Sequence, residues 1–582
     1  MNLYKLNLGK FLPQSKLFAR QSCDINDRSR EFHPNFLIVL SSIWLATVCN
    51  MALWYELVGM PQTNNWHDVW FIAAFAVLIA ALLCILMSVL CWKWTLKPVI
   101  SLLLLSAAFG TYFMLSYGVV IDSSMITNVL ETDVREVRDL LNWKLAIVVL
   151  LLAILPIIVF WNKRIKQFSF LLNLRNNAVL FLISCAVSVA AVLPLYQDFA
   201  STMRNHIQLR FLINPLNSVY GLAQSAIQPF QKSTGKLQTI GTDAKIGNTY
   251  KDQPKIPLLI LVLGETARSA NFGINGYARD TTPLLNQIKK NDDQSGELTS
   301  QTNVYSCATS TAISLPCMYS HLGKSGYESR DADYENLIDV LDRSGLAVMW
   351  LENQSGCKGI CDRIYADATQ NQKDANLCST GECFDEIMLK NIDQRFTEIP
   401  FEKLSKGVVV VMHQMGSHGP AYYKRSPEVI KKFKPECTTN ALQDCTKAEV
   451  VNAYDNSIAY TDYFLSKVIS LLKDKAPHVQ GGMLYVSDHG ESLGENNLYL
   501  HGLPYAIAPD VQKKIPWISW FSNDFISRHN LDTDCLEKRA NNKLSHDNYF
   551  HTVLGLMDIQ TEIYKPELDA YAPCRVRQLK NL

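Results

Sequence analysis

Ile256-Pro-Leu-Leu-Ile-Leu-Val-Leu263 runs directly into Gly264-Glu265-Thr266. An apolar run of this length predicts a buried strand, and a carboxylate at its end can serve a ligand. Three further β-rich runs also end in polar residues: Leu346–Leu351 before Glu352-Asn353, Val408–Met412 before His413 and Ser417-His418, and Met483–Val486 before Ser487-Asp488-His489. Longer segments of helical pattern separate these runs, so residues 255–582 are predicted to form a mainly parallel sheet covered by helices.

The polar ends of these strands predict a metal site. Ligand sites in open α/β sheets collect beyond the carboxyl ends of the strands, so Glu265, His418, Asp488 and His489 are expected to converge. Carboxylates together with imidazoles favour a divalent cation, with zinc first among the candidates. Taken singly, Glu265 has the ordinary interpretation of a helix cap, and the joint pattern is what favours a site. His501 is a further candidate, whereas His413, His546 and His551 are interpreted as structural or supporting residues.

The first third of the chain is predicted to cross a membrane five times. Apolar stretches long enough for a bilayer run over about 36–55, 69–92, 98–120, 145–161 and 178–195. The basic leader, residues 1–35, contains no cleavage-type apolar segment, which indicates a retained anchor.

The charges between the spans predict their orientation. Lys93 and Lys97 follow the second span, and a basic cluster from Lys163 to Arg175 follows the fourth. The loop at about 56–68 has no Lys or Arg, and the loop at 121–144 is acidic on balance. By the positive-inside rule the N-terminus is cytoplasmic, and everything after about residue 196 lies outside. The net charge of +1 gives no electrostatic case for binding nucleic acid.

The cysteines are distributed in agreement with this topology. The ten after residue 300 include four closely spaced pairs, Cys307/Cys317, Cys357/Cys361, Cys378/Cys383 and Cys437/Cys445, with Cys535 and Cys574 paired by elimination. An even number in a polar domain predicts disulfides and an oxidising compartment. The alternative is a thiolate metal site. Cys357-Lys-Gly-Ile-Cys361 alone has zinc-like spacing, and no second matching pair follows it.

Residues 196–254 are predicted to bridge the two parts of the chain. Residues 196–228 mix apolar and charged positions, and they fit either an amphipathic helix on the membrane surface or an ordinary domain helix. The polar stretch at about 231–254 is interpreted as a linker.

A candidate nucleophile lies in Cys307-Ala-Thr-Ser-Thr-Ala-Ile-Ser-Leu-Pro-Cys317, which holds small hydroxyl groups between two cysteines. A disulfide here would make a rigid loop that holds one hydroxyl over the metal. A threonine hydroxyl is inert at neutral pH unless a metal or a base removes its proton. Without the flanking cysteines and the metal candidates, the segment would be interpreted as a surface loop.

Five strings together carry a family resemblance: Gly264-Glu-Thr-Ala-Arg-Ser-Ala-Asn271, Cys307–Met318, Glu352-Asn-Gln-Ser-Gly-Cys-Lys-Gly-Ile-Cys361, Gly416-Ser-His-Gly-Pro420 and Ser487-Asp-His-Gly-Glu-Ser-Leu-Gly-Glu495. They resemble the lipid A phosphoethanolamine transferases, a family that includes the enzymes of polymyxin (colistin) resistance. The resemblance extends from the five spans to Ser545-His-Asp-Asn-Tyr-Phe550.

The resemblance implies an alkaline-phosphatase-like α/β/α fold for the soluble domain. Its implied zinc ligands are Glu265, Thr311, Asp488 and His489, with Thr311 as the nucleophile. His418 and His501 would bind the phosphoryl group or a second zinc. Ala308 stands where the family commonly has glycine, and Ile313 where it often has His or Tyr, which bears on loop geometry and acceptor preference.

The resemblance also implies a substrate-binding segment, Thr127–Glu136, in the loop at 121–144. Asn128, Thr132 and Glu136 recur every four residues and so would share one side of a helix. Glu136 would meet the ethanolamine ammonium, and Ser355 and Lys358 would complete the site.

The resemblance therefore predicts an inner-membrane enzyme, expected to be a monomer, whose periplasmic domain transfers phosphoethanolamine from phosphatidylethanolamine to lipid A among the membrane lipids. A core sugar as acceptor is an alternative, and so are a phosphoglycerol transferase and a non-catalytic sensor with a degenerate metal site. Sulfatases need a Cys-x-Pro-x-Arg segment, which the nucleophile loop lacks.

Overall fold

The computed structural model describes residues 31–60, 66–131, 134–231, 237–251, 253–290, 295–378 and 382–576, with backbone alone at 124, 130–131, 134–136 and 226–231. The N-terminal part contains these helices: α1 Pro34–Val58, α2 Trp66–Leu90, α3 Leu96–Tyr117, α4 Ser123–Glu131, α5 Val134–Leu140, α6 Trp143–Trp161, α7 Phe170–Asn205, α8 Gln208–Phe211 and α9 Leu216–Gln231. Five of them (α1, α2, α3, α6 and α7) are long and apolar enough to cross a bilayer, which confirms the five predicted spans.

The fifth span differs most from its predicted bounds of 178–195. Helix α7 already begins at Phe170, so Arg175 lies within the helix and not in the loop before it. Charged residues lower local hydropathy but not helix propensity, and a membrane helix continues beyond the hydrocarbon layer. A hydropathy pattern therefore underestimates the length of such a helix.

The bridging segment at 196–228 forms three pieces: the end of α7, then α8, then α9. The chain breaks at Asn214-Pro215, because proline lacks the amide hydrogen that a continuing helix needs. Asn214 is buried and its Nδ2 donates to the carbonyl oxygens of Cys49 (3.0 Å) and Ala107 (2.7 Å). These bonds tie the connection between α8 and α9 to spans α1 and α3.

The C-terminal part is built on an eight-stranded sheet. Its strands, with those of two short ribbons, are β1 Lys245–Ile246, β2 Ile256–Gly264, β3 Gly296–Tyr305, β4 Ala347–Glu352, β5 Tyr365–Ala368, β6 Val408–His413, β7 Val479–Ser487, β8 Ser492–Glu495, β9 Leu498–Leu500, β10 Lys514–Ser522, β11 Leu544–Ser545 and β12 Ile559–Gln560. The order in the sheet is β11-β3-β10-β7-β2-β6-β4-β5, and only β10 runs antiparallel to its neighbours. The prediction of a mainly parallel sheet is confirmed.

Helices cover both faces of this sheet. They are α10 Pro283–Lys290, α11 Thr311–Met318, α12 Gly323–Glu328, α13 Leu337–Arg343, α14 Ile392–Phe396, α15 Phe401–Leu404, α16 Lys447–Asp474, α17 Asn523–His529, α18 Thr533–Lys538 and α19 Tyr549–Leu556. Alternate residues of β2 point to opposite faces, Leu258 and Ile260 into the core with α16, and Leu259 and Leu261 into the core with α13 and α19. Because both faces are buried, the central strands have continuous apolar sequences.

The segment interpreted as a linker contributes to the catalytic domain. β1 pairs antiparallel with β12, and Gly247 N donates to the carbonyl oxygen of Asp558 at 2.7 Å. A Cβ at Gly247 would lie 2.3 Å from Asp558 Oδ2, so this close approach requires glycine. A two-residue strand within polar sequence has no periodicity by which it could be recognised.

The ten later cysteines form five disulfides: Cys307–Cys317, Cys357–Cys361, Cys378–Cys383, Cys437–Cys445 and Cys535–Cys574. The pair with zinc-like spacing, Cys357 and Cys361, is bonded to itself, so its sulfurs are not thiolate metal ligands.

The disulfides differ in the length of chain they close, and this predicts unequal contributions to stability. Cys535–Cys574 spans 39 residues and Cys357–Cys361 spans 4. Loop-closure entropy predicts that C535A/C574A lowers the free energy of unfolding by about 4 kcal/mol, and C357A/C361A by about 2 kcal/mol. Calorimetry of the full chain in detergent should therefore record the larger loss of Tm for C535A/C574A. Equal losses, or the reverse order, would contradict the entropic argument.

Candidate active site

Four side chains from distant parts of the chain converge at the carboxyl edge of the sheet. β2 and β7 are parallel neighbours with Gly264 opposite Ser487, so Glu265 and Asp488 leave the sheet side by side. Thr311 Oγ1 lies 3.1 Å from both carboxylate oxygens of Glu265 and 3.3 Å from His489 Nε2. His489 Nε2 is also 3.3 Å from Asp488 Oδ2 and 3.8 Å from Glu265 Oε1.

The chemistry of this cluster fits a bound cation. Glu265, Asp488 and His489 are fully buried and each offers one ligand atom, all within 4.8 Å of one another. Asp488 Oδ1 accepts hydrogen bonds from the backbone amides of Thr266 (3.0 Å) and His489 (2.7 Å). Asp488 Oδ2 has no hydrogen-bond partner among the residues that the structure describes. Two buried carboxylates beside an imidazole are costly unless a positive charge compensates them, so the donor set matches a divalent metal ion.

The backbone at the metal cluster is in an unusual conformation. Thr266 has φ of 57°, a left-handed conformation that is rare for a β-branched residue. In this conformation its amide reaches Asp488, and its Oγ1 donates to Glu265 Oε1 at 2.6 Å. Rare backbone conformations that hydrogen bonds hold in place are often found at functional sites.

The loop that carries Thr311 is fixed from several directions. The Cys307–Cys317 disulfide closes it, and Ser314 Oγ donates to the carbonyl oxygen of Asp488 at 2.6 Å. His546 Nε2 donates to the carbonyl oxygen of Ser487 (2.9 Å), and its Nδ1 accepts from Cys307 N (3.0 Å). Burial lowers the pKa of His546 to about 4, which keeps the ring neutral and Nδ1 an acceptor. Thr311 is the first residue of α11, where the helix dipole favours negative charge.

A second group of side chains lies behind Glu265. His413 Nδ1 is 3.0 Å from Glu352 Oε2, and its Nε2 is 4.0 Å from Glu265 Oε2. Trp350 Nε1 donates to the same Glu352 oxygen at 2.8 Å. Since His413 is the last residue of β6, beside β2, the sheet itself brings this imidazole against the cluster. The interpretation of His413 as a supporting residue agrees with this geometry.

His418 and His501 lie on the open side of the cluster. The ring centroids of His501 and His489 are 4.3 Å apart, and those of His501 and His418 are 6.1 Å apart. Burial, together with Arg425 and the neighbouring imidazoles, lowers the pKa of His418 to about 3. Both histidines line the same pocket as Thr311.

Glu491 is a residue that the sequence reasoning did not single out. Its Oε2 is 3.0 Å from His501 Nδ1, and its Oε1 accepts from Tyr422 OH at 3.0 Å. Glu491 is fully buried, and burial raises its pKa to about 8. Its position two residues after His489, inside the string Ser487–Glu495, was the available signal.

An apolar pocket of about 190 Å³ opens beside Thr311, between the membrane part and the catalytic domain. Helix α3, the loop after it and α4 supply its apolar side, including Phe113, Val119, Ile121 and Met125. The polar residues in its lining are Asn128, Thr311, Gln354, Ser355, Lys358, His418 and His501. The structure thus brings the sequence-predicted Asn128, Ser355 and Lys358 together with the nucleophile candidate.

The side chains of two predicted substrate residues are not among those that the structure describes. Thr132 lies outside the described residues, and of Glu136 the backbone alone is described. Helix α4 ends at Glu131 and α5 begins at Val134, and residues 132–133 lie outside the described residues, so the alignment of Asn128, Thr132 and Glu136 on one side of a helix stays a prediction.

Comparisons with known proteins agree with this architecture. The family model described as Sulfatase matches residues 257–559, and the model described as Phosphoethanolamine transferase EptA/EptB matches residues 79–229. The phosphoethanolamine transferase EptA of Escherichia coli K12 is 35% identical, over 92% of this chain and 96% of EptA. The phosphatidylethanolamine transferase Mcr-1 of Escherichia coli is 34% identical, over 92% of this chain and 97% of Mcr-1.

Among solved structures, the integral membrane lipooligosaccharide phosphoethanolamine transferase A (EptA) from Neisseria meningitidis is similar over both parts. The TM-score is 0.87 at 35% identity, covering 93% of this chain and 98% of that one. That relative is named an integral membrane protein, and five helices of this chain are long and apolar enough to cross a membrane, in agreement with the predicted multi-pass location in the inner membrane. The chain belongs to the EptA/Mcr family and is an enzyme of the phosphoethanolamine transferase type.

Proposed function

We propose that this protein transfers phosphoethanolamine from phosphatidylethanolamine to a phosphate of lipid A, with zinc as its metal and through a covalent phosphothreonine at Thr311. One observation carries the proposal. The Thr311 hydroxyl lies at once within 3.1–3.3 Å of the buried ligand cluster and in the lining of an apolar pocket formed with membrane helix α3.

The apolar pocket supports a lipid donor. The relatives Mcr-1 and Mcr-2 are named phosphatidylethanolamine transferases. The apolar side chains of α3 and α4 suit the glycerol and the first acyl carbons, while Asn128, Ser355 and Lys358 suit the phosphoethanolamine head group. Thr132 and Glu136 stay predictions as further donor contacts. A pocket at the top of a membrane span lets the donor enter from the bilayer.

Zinc is the metal that the ligand set supports best, since Glu265, Asp488 and His489 offer two carboxylates and one imidazole around the Thr311 hydroxyl. When bound by these four residues, zinc would supply Lewis-acid chemistry, lowering the pKa of the hydroxyl and offsetting charge on the phosphoryl group. Glu265, held by Thr266, keeps the hydroxyl in place, and the disulfide loop prevents Thr311 from moving away.

In the first half-reaction Thr311 Oγ1 forms a bond to phosphorus and the bond from phosphorus to the diacylglycerol oxygen breaks. The threonine gives up its proton, and the departing diacylglycerol oxygen takes one. His501, oriented by Glu491, is suited to deliver this proton, and His418 to donate a hydrogen bond to a phosphoryl oxygen or to take part in a second zinc site. The amides at the start of α11 face the developing negative charge.

In the second half-reaction an oxygen of a lipid A phosphate attacks the same phosphorus, and the bond to Thr311 breaks with return of its proton. Relatives at 26–27% identity are named Kdo(2)-lipid A phosphoethanolamine 7''-transferases, so a core sugar is the second candidate acceptor. Family membership supports phosphoethanolamine over phosphoglycerol as the group transferred and catalysis over a sensor role. Action as a monomer stays a prediction.

The charge of the product supports a role in resistance to polymyxin and other cationic peptides. Each phosphoethanolamine adds an ammonium group to lipid A and so reduces its net negative charge. Polymyxin and other cationic peptides bind this surface by charge attraction, which the modification would weaken.

The nucleophile is tested by mass spectrometry of lipid A from cells that express wild-type protein, T311A or T311S. We expect the phosphoethanolamine mass addition and a raised polymyxin inhibitory concentration with the wild type. T311A should give neither, because no hydroxyl remains to form the intermediate. T311S keeps a hydroxyl and should retain measurable transfer. Full modification by folded T311A would refute the covalent scheme, whereas an unmodified lipid A with active wild-type donor cleavage would move the acceptor elsewhere.

The role of His501 is tested by steady-state kinetics of H501Q. Because a general acid would be lost, we expect the turnover rate to fall by about two to four orders of magnitude, with little change in the KM for phosphatidylethanolamine. H478Q is a matched control, because His478 is exposed after α16, outside the site. A turnover rate for H501Q within twofold of the control would exclude His501 from proton transfer.

A further inference from the structure

A second cavity, which we call the polar cleft, adjoins the apolar pocket. Its volume is about 1100 Å³, against about 190 Å³ for the apolar pocket. Three residues, Ala312, Ser355 and Lys358, belong to the lining of both cavities. They form the wall between the cavities, and Ala312 directly follows Thr311. Thr311 itself lines the apolar pocket and not the polar cleft, so a molecule in the polar cleft would approach the nucleophile past Ala312.

The polar cleft extends along the helix that carries the nucleophile. Ala312 and Pro316 line it four residues apart, so they share one side of α11, and Ser320 lines it just beyond the end of the helix. At 1.5 Å per residue, Ala312 and Pro316 are about 6 Å apart along the helix axis. The cleft is too large for an ethanolamine group alone, and its size is at the upper end of ordinary ligand sites.

The residues of the polar cleft differ in chemistry from those of the apolar pocket. Cations and carboxylates alternate in the lining, among them Glu328, Arg330, Asp333 and Arg363. Ion pairs fix two of these: Arg363 binds both oxygens of Asp339 (2.6 and 2.7 Å), and Arg330 Nε lies 3.5 Å from Asp333. A lining with donors and acceptors in similar number suits a ligand that carries both, as sugar hydroxyls do.

The aromatic residues of the polar cleft add to this match. Tyr327 and Tyr334 line it, and the guanidinium of Arg330 stacks 3.7 Å from the Tyr327 ring centroid while its Nη1 donates to the Tyr327 carbonyl oxygen at 2.7 Å. This contact holds Arg330 in one orientation. Tyr334 in the same lining offers a sugar ring an apolar surface, and the fixed arginine offers directed hydrogen bonds.

The position of the polar cleft is compatible with a lipid-anchored ligand. Ser123 and Thr127 of α4 line it, and α4 begins six residues after span α3 ends at Tyr117. Six residues reach at most about 20 Å, so this end of the cleft is close to the membrane surface. Lys358, in the shared wall, has φ of 50° in a loop closed by Cys357–Cys361 and brings a positive charge near Thr311.

We propose that the polar cleft binds the saccharide head group of the acceptor lipid, with the acceptor's phosphate toward Lys358 and Thr311, while the donor occupies the apolar pocket. This inference rests on the proposed function, since it needs a phosphorylated glycolipid as the second substrate. It makes Arg330 a specificity residue for the acceptor and leaves Thr311 as the group that both substrates meet in turn.

The wild-type protein tests the two-pocket arrangement without any substitution. In mixed micelles of phosphatidylethanolamine and lipid A, separate pockets predict that excess lipid A does not inhibit competitively against phosphatidylethanolamine. A single shared pocket would produce that competitive inhibition and would overturn the inference. If wild-type protein cleaves the donor but transfers nothing to lipid A, then lipid A is ruled out as the acceptor and the inference is overturned.

Two substitutions test the cleft residues directly. R330A removes a charged donor, and E328W narrows the cleft at an exposed position. Each should raise the KM for lipid A about tenfold, the effect expected for one charge-assisted hydrogen bond, with the KM for phosphatidylethanolamine within twofold of wild type. E402W is the matched control, since Glu402 on α15 is 86% exposed and does not line the cleft. Unchanged lipid A KM values, or equal rises in both KM values, would overturn the inference.

Discussion

Two carboxylates, Glu265 and Asp488, are buried side by side, and this constraint governs the rest of the catalytic domain. Parallel pairing of β2 with β7 brings them together. Backbone amides donate hydrogen bonds to one oxygen of Asp488 only. Such charges remain in a protein interior when a cation or a partner compensates them. The neighbouring imidazole of His489 and the hydroxyl of Thr311 complete a set of ligands that a metal ion would hold together.

The sheet fixes the positions of the candidate metal ligands, and the segments that follow its strands carry the reactive side chains. Glu265, His413 and Asp488 all stand at the ends of neighbouring parallel strands, where a rigid edge fixes their relative positions. The candidate nucleophile, Thr311, is the first residue of α11, and a disulfide, Ser314 and His546 attach this segment to β7. The membrane part completes the site from outside, because α3 and α4 line the apolar pocket beside Thr311 and α4 also lines the polar cleft. Under the proposed function, the enzyme would thus receive both lipid substrates at the bilayer surface.

The sequence predicted what depends on local pattern. Apolar runs that end in carboxylates or imidazoles identified Glu265, His418, Asp488 and His489, and long apolar segments identified the five spans. It missed what depends on tertiary contact. The contact between Glu491 and His501 joins two parts of the chain that the sequence pattern does not connect, and the short strand β1 exists only because β12 pairs with it. The polar cleft is formed by segments from four separate regions of the chain, so no local sequence pattern could predict it.

The central claim is that Glu265, Thr311, Asp488 and His489 bind one zinc ion that activates the threonine. Anomalous diffraction recorded above and below the zinc absorption edge, on crystals of the full chain, tests it most directly. We predict one strong zinc peak at about 2 Å from the ligand atoms of these four residues. A zinc-replete crystal with no peak there, or with its only peak at other residues, would contradict this claim.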